Sequence, residues 1–239
     1  MVHPRLTFHA WPAAVYAIGD VHGCLSQLLD IETQIVADGL SIDGEKWLIT
    51  IGDHIDRGPA SARVLAHVKG PAPAGFRRIA LMGNHEALLM AFLNNPVEDD
   101  NWRSQGGAET LRSYGIDPEG PAAQVAGQFP AEDREFLSGL PLYVMLPGWL
   151  FVYAGIRPGI PLAGQTEDDL LWIRAPFLSS QMSGGLRIVH GHTPDDDVVV
   201  TPHRIGLDTA CFASGKLSAI RVTPDGRTKF FEAIGPGGA

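Results

Sequence analysis

Before residue 94 the chain repeats one pattern three times: a short apolar run, a glycine-flanked loop, then apolar side chains at helical spacing. Val15-Tyr16-Ala17-Ile18 runs into Gly19-Asp20-Val21-His22-Gly23, after which Leu25, Leu28, Leu29, Ile35 and Val36 carry a helical pattern. Trp47-Leu48-Ile49-Thr50-Ile51 runs into Gly52-Asp53-His54-Ile55-Asp56-Arg57-Gly58. Pro59 there suits a first helical turn, and Val64, Leu65 and Val68 form an apolar face ended by Gly70. Arg77-Arg78-Ile79-Ala80-Leu81-Met82 leads to Gly83-Asn84-His85-Glu86 and a helical run over residues 87–93. Successive β-loop-α units imply a largely parallel sheet whose functional loops follow the C-terminal ends of the strands. Polar and charged residues are concentrated in those three loops.

Across residues 94–147 the texture changes, with Asn95-Pro96, Gly106-Gly107 and Asp117-Pro118 breaking up short helical pieces such as 131–137. This reads as an inserted helical and loop segment that covers the site. Trp102, Arg103 and Arg112 within it are candidate substrate contacts, set against the plainer reading of a solvated connection. The sheet pattern resumes at Trp149-Leu150-Phe151-Val152, followed by Tyr153-Ala154-Gly155, and again at residues 186–189, followed by His190-Gly191-His192-Thr193. From Val198 onward, short alternating segments at 198–201, 204–207, 217–222 and 228–231 read as antiparallel strands closing a second sheet. The tail, residues 235–239, reads as frayed.

The 239 residues suit one α/β domain over 1–239, with the inserted segment at about 94–147. No apolar run reaches the ~18 residues of a membrane-spanning helix, and the first residues lack the basic start and apolar core of a secretory signal. Cys24 and Cys211 form no spacing framework and read as packed thiols, so the expected setting is reducing and cytoplasmic, with no membrane partner. A net charge of −9 argues against a nucleic-acid groove, which needs a cationic surface; a phosphate ligand would have to be drawn in by local cations.

Asp20 and His22 are two apart on a chain leaving a strand, so both side chains can face one cation with an oxygen and a nitrogen. Asp53 can bridge to a second cation, and Asn84 and His192 add an amide oxygen and an imidazole, each just beyond its own strand. Such a mixed O/N set suits Mn²⁺, Fe or Zn²⁺ better than Ca²⁺ and disfavours a thiolate-bound structural zinc.

Taken in order, Gly19-Asp20-Val21-His22-Gly23, Gly52-Asp53-His54-Ile55-Asp56-Arg57-Gly58, Gly83-Asn84-His85-Glu86 and Gly191-His192-Thr193 resemble the calcineurin-like metallophosphoesterase superfamily. The Asp56-Arg57-Gly58 extension is similar to the phosphoprotein phosphatase branch, which includes bacterial serine/threonine phosphatases and symmetrical diadenosine tetraphosphate hydrolases. The resemblance implies a four-layer α/β/β/α fold, two mixed β-sheets sandwiched between helices. It also implies two divalent metal ions, Mn or else Fe or Zn. By motif position, Asp20, His22 and Asp53 would hold the first metal, and Asp53, Asn84 and His192 the second. Two such ions ~3.5–4 Å apart would activate a bridging water for in-line attack on phosphorus. Arg57 would grip phosphate oxygens, His85 would protonate the leaving oxygen with Asp56 steadying its ring, and Arg174 would be a second phosphate clamp.

The sequence departs from the family pattern at Tyr153, where a histidine usually completes the second metal's ligands. Three readings are open: a weak second site with water in place of the imidazole, ligation by a Tyr153 phenolate, or His190 swinging in, the last set behind the plainer reading of His190 as an outer-shell or packed histidine. His54 reads as packing or outer-shell, Asp208 as a structural turn, and Asp195-Asp196-Asp197 as a solvated turn. The leading expectation is a phosphomonoester hydrolase acting on phosphorylated Ser, Thr or Tyr side chains, with phosphoprotein, phosphopeptide or small phosphoester as partner. One alternative is a symmetrical dinucleoside polyphosphate hydrolase. Another is a phosphate-binding regulatory protein whose turnover is impaired at Tyr153.

Overall fold

Arg5–Thr7 (β1) precedes the first β-loop-α unit, Ala14–Ile18 (β2) and Leu25–Gly39 (α1). The structure, a computed structural model, describes residues 3–97, 101–181 and 183–236. Helix α1 buries Leu28, Ile31 and Ile35, the single stripe expected of a helix lying on a sheet. The second unit is Lys46–Thr50 (β3) with Ser61–Lys69 (α2), and the third is Phe76–Ala80 (β4) with Asn84–Asn94 (α3). Strands β2, β3 and β4 pair in parallel with Ala17 opposite Ile49 and Ile49 opposite Ile79. Every residue of β2 and β3 is buried, as in a sheet covered on both faces.

The segment that reads as an insertion holds a π-helical turn at Arg103–Gly107 leading into Ala108–Ser113 (α4), then Ala122–Gln128 (α5) and Ala131–Ser138 (α6). It also contains Tyr143–Leu146 (β5), which pairs with β1 and with Trp149–Val152 (β6). Its last residues are therefore framework. Glu167–Trp172 (α7) starts at a capping box in which the Thr166 hydroxyl accepts from the Asp169 N–H, and Ala175–Leu178 (α8) follows. Next come Arg187–His190 (β7), Val199–Val200 (β8), Arg204–Gly206 (β9), Cys211–Ser214 (α9), Lys216–Val222 (β10) and Thr228–Ile234 (β11).

Two mixed sheets result, ordered β1-β5-β6-β7-β9-β8 and β11-β10-β2-β3-β4, in the layered α/β fold expected. The Phe8 ring, just past β1 of one sheet, meets the Trp47 ring on β3 of the other at 4.5 Å. The C-terminal segments do not close one sheet together, as the sequence suggested. β8 and β9 extend the sheet of β7, with β9 parallel to β7, whereas β10 and β11 return to the sheet of β2, with Ala219 opposite Ile18. Alternation identifies a strand; its partner is selected by which open edge lies within reach of the connecting loop.

The tail expectation falls partly on residues 237–239, outside the described residues. Gly235 and Pro236 are tied down: the Gly235 N–H donates to Gly215 O at 2.9 Å, and Gln27 Nε2 donates to Pro236 O at 3.1 Å. Among the described residues no helix is long and apolar enough to cross a membrane.

Candidate metal and phosphate site

Five strands end at one place. The chain leaves β2 toward Asp20 and His22, β3 toward Asp53, β4 toward Asn84, β6 toward Tyr153 and β7 toward His192. Asp20, Asp53, Asn84, Tyr153 and His192 line a cavity of ≈ 320 Å³, with Arg57 and Arg174 at its exposed side. Among the described residues, the non-glycine positions with left-handed φ are His22 (43°), Asp53 (47°), Asp56 (71°), Arg57 (67°), His192 (65°) and Ala210 (51°). Apart from Ala210, all of them are residues singled out by the motifs. Left-handed backbone costs roughly 1–2 kcal/mol at an L-residue, so surrounding bonds must hold these loops. Glu86, wholly buried on α3, is one such anchor: its carboxylate accepts from the N–H groups of Asp53 (2.9 Å), His54 (2.7 Å) and Gly83 (2.9 Å). It ties the second motif to the third.

Of the residues expected at the first cation, His22 and Asp53 fall, together with His85, in the group of ligand atoms that lie within 4.8 Å of one another among the described residues; Asp20 is not in that group. His22 Nδ1–H donates to Ile55 O at 2.7 Å, which leaves Nε2 as a lone pair 3.2 Å from Asp53 Oδ2. Arg57 Nη1 donates to that lone pair at 2.8 Å from an exposed, movable side chain. Asp20 is buried, and burial together with the Asp208 and Asp53 carboxylates pushes its pKa well above the ordinary value. Burial opposes ionisation of Asp53 too, but the His85 imidazole and the Tyr153 hydroxyl hold its pKa below the ordinary value. Crowded carboxylates beside an imidazole of fixed tautomer form a donor set that a divalent cation relieves.

The second set converges on a hydroxyl of the chain itself. Tyr153 O–H donates to Asp53 Oδ2 at 2.5 Å, and the same oxygen lies 2.9 Å from Asn84 Oδ1 and 3.2 Å from His192 Nδ1. His192 Nε2–H donates to Trp172 O at 3.3 Å, and burial with the nearby Arg174 guanidinium lowers its pKa to about 4.

His85 sits in the first turn of α3, where its backbone N–H donates to Asp53 Oδ1 at 3.1 Å. Its Nδ1–H donates to Asp56 Oδ2 at 2.7 Å, which leaves Nε2 3.9 Å from Asp53 Oδ2. Burial disfavours charge on His85, but the Asp53 and Asp56 carboxylates outweigh it and raise its pKa. Asp56 is itself held by Trp102 Nε1–H at 2.8 Å and by the Thr110 hydroxyl at 2.6 Å, and its backbone N–H donates to Thr110 Oγ1 at 2.9 Å. Trp102 and Thr110 are wholly enclosed. They are the part of the site that sequence reasoning missed as support, and the only signal was a tryptophan and a threonine in a segment otherwise rich in breakers.

The reading of Trp102 is corrected: it is enclosed and bonded to Asp56 rather than solvated; Arg103 Nη1 donates to the carbonyls of Pro118 and Gly120, and Arg112 pairs with Glu109 on the surface, in keeping with the solvated reading. His190 is buried against Phe177, in keeping with the packed reading preferred for it. Arg174 does reach the cavity wall, where its Nη2 donates to His192 O at 3.2 Å. His54 is packed between Thr50 Oγ1 (2.7 Å) and Glu86, as expected. Asp208 makes the expected turn by accepting from the Ala210 N–H, and it also lines the cavity. Phe212, which no motif marked, lies under the Arg57 guanidinium at 4.8 Å and edge-on to His22 at 5.3 Å. Cys24 and Cys211 are buried, as expected of packed thiols.

A family model described as calcineurin-like phosphoesterase matches residues 13–217. The asymmetrical bis(5'-nucleosyl)-tetraphosphatase of Bacillus velezensis is 28% identical over 248 residues, spanning 92% of each chain. The symmetrical bis(5'-nucleosyl)-tetraphosphatase of Aromatoleum aromaticum is 28% identical over 93% of this chain and 72% of its own. Serine/threonine-protein phosphatase 2 of Salmonella typhimurium is 26% identical over 87% of this chain and 92% of its own. Among solved structures, a protein serine/threonine phosphatase of Saccharomyces cerevisiae superposes with a TM-score of 0.63 at 16% identity, covering 98% of this chain and 84% of that one. That likeness is one of fold.

Proposed function

The chain belongs to the calcineurin-like phosphoesterase family, and from that membership we propose that it hydrolyses dinucleoside polyphosphates at the cavity flanked by Arg57 and Arg174. The observation that carries phosphoryl chemistry is the pair of guanidiniums on the cavity lined by Asp20, Asp53, Asn84 and His192, with the Asp56-bonded His85 ring 3.9 Å from the Asp53 carboxylate. The choice of substrate is supported by the nucleosyl-tetraphosphatases of both kinds that match nearly the whole chain. The leading expectation from sequence, a phosphoprotein substrate, becomes the second reading, supported by the Salmonella relative.

Arg57 and Arg174 bind non-bridging phosphate oxygens, for which planar guanidiniums give two-pronged contacts. When bound at Asp20, His22 and Asp53, a divalent cation supplies Lewis acidity that neutralises phosphoryl charge and acidifies water. His85 carries a proton on Nε2 toward the leaving oxygen, and Asp56 orients the ring and favours the charged form. Two grooves continue the cavity. One shares Pro194 and Ala210 with it, and the other shares Arg57 and Phe212. Both adjoin Ala213, so they give room beyond the cavity for the parts of a substrate larger than a phosphate.

The test is a parallel panel of diadenosine tetraphosphate, phosphopeptides and an aryl phosphate, run on chelator-treated protein before and after adding Mn²⁺. Faster turnover of the dinucleotide supports the lead, and the split between ADP pairs and ATP plus AMP identifies the cleaved bond. Faster turnover of phosphopeptides supports the second reading. Turnover that ignores metal, or that survives Asp53→Asn, overturns both.

A further inference from the structure

We propose that the Tyr153 hydroxyl takes the place of the second cation, so that the centre holds a single divalent ion on the Asp20, His22 and Asp53 side. This rests on the metal-dependent hydrolase reading above. Asp53 Oδ2, Asn84 Oδ1 and His192 Nδ1, the three atoms available to a second ion, all surround Tyr153 Oη, at 2.5, 2.9 and 3.2 Å. The first is a donated hydrogen bond, and the other two are close contacts with the same oxygen. A first-row divalent ion binds oxygen and nitrogen at about 2.0–2.2 Å, so an ion drawn in among these atoms would collide with the phenol oxygen already there.

The hydroxyl can donate to only one of the three atoms around it. With Nε2–H committed to Trp172 O, His192 presents a lone pair at Nδ1, and the Asp53 and Asn84 oxygens are acceptors as well. Three lone pairs thus face one hydroxyl proton, which goes to the carboxylate at the shortest distance. The donor set has the chemistry of a cation site, while its centre is filled by a neutral group.

Tyr153 also cannot step aside as Arg57 can. It is 1% exposed, whereas Arg57 lies at the open side of the cavity. Its ring passes so close to Gly52 that a Cβ there would come within 2.8 Å of Tyr153 Cδ2, and the His192 ring lies 5.1 Å away. The hydroxyl stays on the ring axis whichever way the phenol turns, so moving the oxygen means moving the ring. A histidine at this position would be shorter by about one metal–nitrogen bond, ~2 Å, and would leave room for an ion between its ring and the three acceptors.

The test is metal stoichiometry on the full chain after chelation, by calorimetric titration with Mn²⁺ and by electron paramagnetic resonance. The native protein is expected to saturate at one Mn²⁺ per chain with a resolved mononuclear spectrum. Tyr153→His is expected to take up a second ion and show a spin-coupled pair. Tyr153→Ala, which removes the hydroxyl together with the ring, is expected to admit a second ion with water in the place of an imidazole, and it serves if the histidine variant does not fold. Two ions in the native chain, one ion in a folded Tyr153→His, or an Fe(III)–tyrosinate charge-transfer band that disappears in Tyr153→Phe overturns the proposal. Two ions with brisk hydrolysis overturn only this inference; one ion with no hydrolysis of any panel member overturns only the functional reading.

Discussion

Asp56 shows how much of this site depends on a residue that need not touch a substrate. Its carboxylate accepts from His85, Trp102 and Thr110, and burial raises its pKa against those bonds, so each donor helps to keep it ionised beside the imidazole. Asp56→Asn offers an amide N–H₂ where donors already point, and it releases the His85 ring. The expected result is a kcat lower by about 10²–10⁴-fold on esters with poor leaving groups. The loss should be smaller on an aryl phosphate with a good leaving group, because that oxygen departs without a proton, and Mn²⁺ content should be unchanged. An equal loss on both substrates would contradict a proton-donor pair. His85 and Asp56 stood out in sequence because they lie in the two motifs, Gly83-Asn84-His85-Glu86 and the Asp56-Arg57-Gly58 extension, that carry the family resemblance. Thr110 did not, because nothing local distinguishes a buried threonine from a helical one on the surface.

Helix α3 begins at the residues that serve the site, and its Glu86 fastens two loops that together hold several left-handed residues. Glu86→Gln sets an N–H₂ against backbone donors and should cost about 2–3 kcal/mol in urea denaturation, with weaker Mn²⁺ retention. A stable variant with native metal affinity would show that the loops hold themselves. The last turn of α1 is fastened through Asp38, which accepts from Tyr16 O–H on β2 (2.7 Å), Arg221 Nη1 on β10 (2.6 Å) and Lys229 Nζ on β11 (2.6 Å). Burial opposes its ionisation, but the bonds from Lys229, Tyr16 and Arg221 outweigh it and hold its pKa below the ordinary value. A depressed folded pKa gives stability that is present above the unfolded value, ~3.9, and lost as pH falls through the folded one. Asp38→Asn should therefore lower stability at about pH 7 by about 1–3 kcal/mol, with the gap to the native chain narrowing below about pH 4. Urea denaturation at both pH values checks this; an unchanged gap in acid would remove the charge from the explanation.

At the scale of the molecule, the site lies where two sheets meet at their strand ends, so its geometry depends on how closely they approach. Gly19, after β2, is in backbone contact with Leu207, after β9 of the other sheet, and a Cβ at Gly19 would collide with the Leu207 carbonyl. Gly19→Ala should push the sheets apart, cost about 1–3 kcal/mol and lower metal affinity, since Asp20 and His192 arrive from opposite sheets. Thermal denaturation and Mn²⁺ titration would register both effects, and a native-like variant would mean the sheets are not held at that contact. The sequence by itself determined the three β-loop-α units, the layered α/β class and the residues gathered at the strand ends, because apolar periodicity and short loop motifs are local properties of the chain. Only the tertiary structure decided that β8 and β9 join one sheet while β10 and β11 join the other, because a strand's partner is set by long-range edges. It also decided that Trp102 and Thr110 support Asp56 from about fifty residues away, and that Tyr153, read in sequence only as a substituted ligand, brings its hydroxyl to the point where three acceptors from two sheets converge.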